Sequence, residues 1–221
     1  MASTDLSPSL TLPGTWRAVV FDMDGLLVHT ERQWLQAKTE LFRRYGQELT
    51  AADRAAVFGM ADLESATYFA QRFGLPPERI PALRDEYLEI VGALIEDRVE
   101  LTSGATELID RVLREVPVAL ASNTRRSLVD LILAQTPFGT WFDAIATGVE
   151  VPPKPAPDVY LLACERAGAD PATAVAVEDS PTGVRSALAA GCRVVGVPNV
   201  RSLRAGDGVT IVESLDRLAP G

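Results

Sequence analysis

Chemistry in this chain can rest on only a few residue types. It has one histidine, His29, and two cysteines, Cys164 and Cys192. A multi-histidine metal site is therefore impossible, and a Ser-His-Asp triad could use only His29. Two cysteines make no disulfide framework, and both sit in apolar patterns that suit reduced core thiols. Carboxylates, hydroxyls, lysine and arginine must do the rest. Four clusters of such residues follow short apolar runs.

The first cluster is Phe21-Asp22-Met23-Asp24-Gly25-Leu26-Leu27. Two acids two apart suit a division of labour, in which one attacks or binds metal and the other moves a proton. Gly25 permits a tight turn beside them. The second cluster is Ser122-Asn123-Thr124, whose hydroxyl and amide groups can donate to an anion. The third is Lys154, set among Pro152, Pro153, Pro155 and Pro157. A lysine on so stiff a loop is a fixed positive charge, suited to a phosphate or a carboxylate cluster. The fourth is Glu178-Asp179-Ser180-Pro181-Thr182-Gly183. Adjacent acids without histidine or cysteine suit a hard cation such as Mg²⁺. Ser180 reads as a helix N-cap and Pro181 as the first helical residue.

Each cluster has a plainer alternative: a solvated turn, a helix cap, a surface lysine, acid enrichment at a helix start. The conjunction is what matters. The apolar runs are Ala18–Phe21, 116–121, 144–146, 174–177, 194–197 and 209–212. They are short and continuous, as strands read when both sheet faces are covered. Helical periods fall between them, at Leu108, Ile109, Val112 and Leu113, then Leu128, Leu131 and Ile132, then Val159, Leu162 and Ala163. Strands alternating with helices predict a parallel α/β sheet. The four clusters lie at the carboxyl ends of such strands, which share one edge.

The stretch from 30 to 97 breaks that rhythm. It has no strand signal, and Leu63 to Phe73 and Leu83 to Leu94 each follow a helical face. It is too long for a simple crossover, so it reads as an inserted helical domain. The expected division is a flexible tail over 1–15, an α/β core over 16–29 and 99–221, and a helical cap over 30–98.

Composition limits the partners. The chain has 221 residues, with 21 basic against 30 acidic side chains and a formal charge of −9. Such an acidic surface argues against nucleic acid or an anionic membrane. A local positive site for a small phosphorylated substrate remains open. No apolar run is long enough for a membrane span, and the first residues do not read as a secretory signal. A cytoplasmic monomer is the expectation, with the oligomeric state left open.

In this order the four clusters resemble the four motifs of the haloacid dehalogenase-like (HAD) hydrolase superfamily. Residues 22–25 match the first motif, Ser122 the second, Lys154 the third and Glu178-Asp179 the fourth, over a span of about 17 to 200. The insert resembles a type I helical cap, and the chain is most similar to the sugar-phosphate phosphatases and β-phosphoglucomutase relatives. The resemblance implies a three-layer Rossmann-like core with an all-helical cap. It implies that Asp22 forms an aspartyl-phosphate and that Asp24 protonates the leaving oxygen and then activates water. It implies Mg²⁺ held by Asp22, Asp24 through its carbonyl, and Asp179, with Glu178 as a further ligand or behind it. Ser122, Asn123 and Lys154 would bind the phosphoryl group.

Two departures stand out. His29 and Thr30 replace the usual Asp-Ser or Asp-Thr before Glu31, which leaves His29 as either a substrate contact or a tolerated hinge residue. The mutase relatives carry a histidine where Trp34 stands and an arginine where Asp62 stands, so a phosphomutase is the weaker alternative. A phospho-aspartate signalling receiver is weaker still, because its acidic pair precedes the phosphorylated aspartate. Trp34, Met60, Asp62 and Arg125 are the candidate substrate residues. Segments 25–31 and 99–104 are the expected hinges.

Overall fold

In the computed structural model, which describes residues 10–11, 16–57, 60–199 and 203–219, the six apolar runs become one sheet. Its strands are β2 (Ala18–Phe21), β5 (Val118–Ser122), β6 (Ala144–Thr147), β7 (Ala174–Glu178), β8 (Arg193–Gly196) and β9 (Val209–Ile211). All pair in parallel, in the order β6-β5-β2-β7-β8-β9. The sheet is thus wound outward in both directions from β2, which makes β2 the switch point. The run expected from Val116 begins at Val118 instead. Pro117 has no N–H for the ladder, although its carbonyl still accepts from Val19 N–H.

The two faces of the sheet differ in residue size, because successive side chains point to opposite faces. Val19, Phe21, Val118, Leu120, Val175 and Val177 share one buried cluster with α5 (Ala105–Val112) and α6 (Arg126–Leu133). Ala18, Val20, Ala119, Ala121, Ala174 and Ala176 share another with α7 (Asp158–Arg166). α8 (Pro181–Ala189) adds Ala187 to that second cluster. Helices on both faces give the three layers expected. The alanine-rich face lets α7 come close, which brings Tyr160 under the sheet edge. Cys164 and Cys192 are both buried there as free thiols, with their Sγ atoms 4.0 Å apart.

Between β2 and β5 stand four helices, α1 (Glu31–Arg44), α2 (Ala51–Ala56), α3 (Asp62–Phe73) and α4 (Ile80–Asp97). α4 packs against both α1 and α3. Phe42, Phe69 and Tyr87 form edge-to-face pairs at their centre, with ring centroids 5.6 and 5.3 Å apart. Among the described residues, no helix is long and apolar enough to cross a membrane.

Two small ladders escaped the sequence reading. β3 (Val28–His29) pairs antiparallel with β4 (Glu100–Leu101), so the two segments that enter and leave the helical block are tied to each other. Thr102 N–H adds a bond to the Leu27 carbonyl at 3.0 Å. β1 (Leu10–Thr11) pairs in parallel with β10 (Leu218–Ala219). These two residues of the expected tail are therefore in a ladder, and the rest of 1–15 lies outside the described residues.

Candidate active site

Asp22, Ser122 and Glu178 sit at the ends of the adjacent strands β2, β5 and β7. Lys154 comes in on the loop after β6. Its ammonium is buried and donates to Asp22 Oδ1 at 2.5 Å and to Glu178 Oε1 at 2.6 Å. Burial alone would lower the lysine's pKa, but Asp22 and Glu178 more than reverse this and hold it charged. Tyr160 completes the group by donating its hydroxyl to Glu178 Oε1 at 2.8 Å.

Glu178 is held on its other side as well. Its Oε2 accepts from the backbone N–H groups of Asp179 and Ser180, both at 3.1 Å, and from Ser180 Oγ. Ser180 also caps α8 by accepting from Gly183 N–H at 3.0 Å, with Pro181 opening the helix. A Cβ on Gly183 would lie 1.7 Å from Glu178 Oε1, so only glycine lets the helix start reach this carboxylate.

Asp22, Glu178 and Asp179 each offer an oxygen within 4.8 Å of the others. Burial, with the neighbouring carboxylates adding to it, pushes Asp22 up to about 8 and Asp179 up to about 9, despite Lys154. Three acids share one lysine here, so the cluster is short of positive charge. Gly25, at φ +87°, keeps the turn close: a Cβ there would lie 2.3 Å from Asp179 Oδ2. An all-oxygen donor set with uncompensated charge fits a hard cation such as Mg²⁺. Both Glu178 oxygens are already occupied by donors, which leaves Asp22 and Asp179 as the freer pair.

The Asp24 carboxylate lies outside this acidic cluster and turns toward the helical block. Its Oδ1 accepts from Thr30 Oγ1 at 2.5 Å and from Trp34 Nε1 at 3.2 Å. Its Oδ2 accepts from Thr124 Oγ1 at 2.7 Å and from Ser122 Oγ at 3.4 Å. So the carboxylate is not a metal ligand in this arrangement, and only the main-chain carbonyl of Asp24 remains for that role. Thr30 and Thr124 were not singled out from sequence; each stands next to a motif residue, but their convergence on Asp24 is a property of the fold.

Asn123 lines the cavity and also holds the Lys154 loop: its Oδ1 accepts from Lys154 N–H at 2.8 Å, and its Nδ2 donates to the Lys154 carbonyl at 3.2 Å, which uses one of its two N–H groups. Ser122 is not a helix cap: its Oγ accepts from Thr124 N–H at 3.0 Å, and α6 starts later with Arg125 as its cap. His29 lies on β3 and does not itself line the cavity, with Thr102 Oγ1 3.5 Å from its Nε2 and Glu31 Oε2, of a lining residue, 4.0 Å from its Nδ1.

A cavity of about 460 Å³ opens over these groups. Trp34, Met60, Asp62 and Arg125 all line it. Trp34 does so while holding Asp24, and Arg125 donates to Asp62 Oδ2 at 3.1 Å. The floor is charged and the walls, from Leu35, Val57, Met60, Tyr87 and Leu88, are apolar. A small organic molecule with one anionic end fits such a place.

Relatives with known names share both sequence and shape. Protein CbbY of Rhodobacter capsulatus is 36% identical over 83% of this chain and 86% of its own. Hexitol phosphatase B of Escherichia coli K12 is 28% identical over 86% of each chain. The crystal structure of CbbY from Rhodobacter sphaeroides in complex with phosphate superposes with a TM-score of 0.80 at 27% identity, over 91% of this chain and 95% of that one. The family model described as haloacid dehalogenase-like hydrolase matches residues 19–197, from the strand that carries Asp22 to just past β8. With its acids, hydroxyls and lysine gathered at the switch point of the matched region, the chain belongs to the haloacid dehalogenase-like hydrolases.

Proposed function

We propose that the protein is a Mg²⁺-dependent phosphomonoesterase of a small phosphorylated metabolite, a sugar or nucleoside phosphate. The observation that carries this is the Asp22–Lys154–Glu178 chain with Asp179 beside it, facing an Asp24 held by separate donors. This arrangement supports a reading in which Asp22 attacks and Asp24 moves protons.

Asp22 attacks phosphorus and forms the acyl-phosphate bond, while the bond from phosphorus to the leaving oxygen breaks. Asp24 gives its proton to that oxygen. Asp24 then takes a proton from water, whose oxygen attacks phosphorus and releases the Asp22 carboxylate. Thr124 and Thr30 hold Asp24 in line for both transfers. Ser122, whose bond to Asp24 is long, is the hydroxyl freest to turn to a phosphoryl oxygen. Lys154 neutralises charge beside Asp22. Mg²⁺ bound by Asp22, Asp179 and the Asp24 carbonyl would supply further positive charge against the repulsion between a carboxylate and a phosphate.

The phosphomutase alternative needs a grip on a second phosphate where Asp62 stands, and Arg125 opposite is already ion-paired to that acid. The receiver alternative requires a long-lived phospho-Asp22. The test is phosphate release from a panel of sugar, nucleoside and short-acid phosphates, with Mg²⁺ and with EDTA. The expected result is Mg²⁺-dependent release from one or a few members, lost in Asp22→Asn. Unchanged release in that variant would overturn the mechanism. An isomerised sugar phosphate without free phosphate would favour the mutase.

A further inference from the structure

The clamp on Asp24 has a footing outside the cavity. Thr30 and Trp34 both donate to Asp24 Oδ1, and both belong to the start of α1. Glu31 stands between them and is held by the sheet side of the molecule. Beyond β8, Val197 N–H donates to the Glu178 carbonyl at 2.7 Å, which keeps the chain beside β7 and delivers Asn199 over the end of the sheet. Asn199 Nδ2 donates to the Gly25 carbonyl at 2.8 Å and to Glu31 Oε1 at 2.5 Å. A carboxamide has two N–H groups, so one goes to each acceptor. A Cβ on Gly25 would lie 3.2 Å from this nitrogen, so the side chain rests directly on the turn after Asp24. Asn199 is exposed, does not line the cavity and lies outside the four clusters.

We infer that Asn199 is a positioning residue for Asp24. It fastens the first turn of α1 to the turn after Asp24, and so fixes where Thr30 and Trp34 meet the Asp24 carboxylate. The inference rests on the phosphatase reading, in which Asp24 gives a proton to the leaving oxygen. A displaced proton donor transfers less well, and the loss grows with the leaving group's need for that proton. Removing the tie therefore slows phosphoryl transfer from poor leaving groups more than from good ones. A general loosening of the structure would slow both alike.

The test uses phenyl phosphate and 4-nitrophenyl phosphate, which carry the same phosphoryl group and differ in how much the leaving oxygen needs a proton. In the full chain with Mg²⁺ and enzyme in excess, Asn199→Ala should slow phenol release about 5- to 10-fold and nitrophenol release about 2-fold or less. Asn199→Asp has the same shape without the N–H groups and should do at least as much. In a Glu31→Met background, where the acceptor on α1 is gone, Asn199→Ala should slow phenol release only about 2-fold further or less. A second readout needs no turnover. The indole N–H signal of Trp34 in the NMR spectrum, recognised by its loss in Trp34→Phe, should move upfield in Asn199→Ala, with the signals of Trp16 and Trp141 in place. No release of either phenol by the wild type would defeat the phosphatase reading, and the Trp34 signal would still judge the tie. Equal slowing of both esters, the full effect of Asn199→Ala in the Glu31→Met background, or an unmoved Trp34 signal would defeat this inference.

Discussion

At the scale of single residues, the site divides into two carboxylate environments. Asp22 lies against a buried lysine, and Asp24 is clamped by neutral donors. The Asp22 side was legible in the sequence, because Asp22, Lys154 and Glu178-Asp179 each follow an apolar strand and stand out by type. The clamp was not. Its donors Thr30, Trp34 and Thr124 come from 6, 10 and 100 positions away, and common hydroxyls carry no signal alone. Thr124→Val keeps the shape and removes the 2.7 Å bond to Asp24. It is expected to lower kcat about 10-fold, with the unfolding midpoint nearly unchanged, because three donors remain. Steady-state kinetics beside a urea titration would check this. An unchanged kcat would reduce Thr124 to a structural contact.

At the scale of elements, the long periodic segments declared themselves, and the two-residue ladders did not. A strand of two residues has no period to read, so β1, β3, β4 and β10 appear only once their partners are in place. The helical block carries a buried charge as well. Asp53, in the capping box of α2, is 2% exposed. It accepts from Tyr68 at 2.7 Å and Arg72 at 2.9 Å, both on α3. Burial would raise its pKa, but the hydrogen bonds from Thr50, Tyr68 and Arg72 outweigh this and hold it well below the usual carboxylate range. A carboxyl depressed in the folded state stabilises above its unfolded value of about 3.9 and loses that contribution as pH falls below it. Asp53→Asn should therefore cost about 2 kcal/mol at pH 7, with the gap to wild type narrowing between about pH 4 and pH 2. Urea midpoints at pH 7 and pH 3 measure it, and a constant gap would contradict it. Gly183→Ala should cost about 3 kcal/mol and lower phosphate release, since its Cβ would strike Glu178. Thermal melts and the phosphate assay report both; a neutral variant would mean that α8 can shift freely.

At the scale of the whole molecule, the helical block and the sheet meet over the cavity. Arg125, next to β5, reaches Asp62 at the start of α3, and the paired β3 and β4 join the two parts elsewhere. The sequence offered Asp62 and Arg125 as candidate substrate residues but could not show that they bind each other, since 63 positions separate them. Asp62→Asn should loosen the block. Limited proteolysis is expected to cut segments 25–31 and 99–104 about 2- to 5-fold faster in the variant, and more slowly in wild type with Mg²⁺ and a phosphate mimic. Identical cutting in all three would argue against closure about these segments.

The central claim is that phosphoryl groups pass through Asp22, and it can be tested on the intermediate itself. An activated ester such as 4-nitrophenyl phosphate needs little help from an acid to leave, but water still needs a base to attack the acyl-phosphate. Asp24→Ala should therefore still accept the phosphoryl group from this substrate and release it slowly. Acid quenching during turnover, followed by peptide mapping, should find the phosphoryl group on Asp22. A covalent phosphate on any other residue, or steady release of phosphate with none ever on Asp22, would contradict the account.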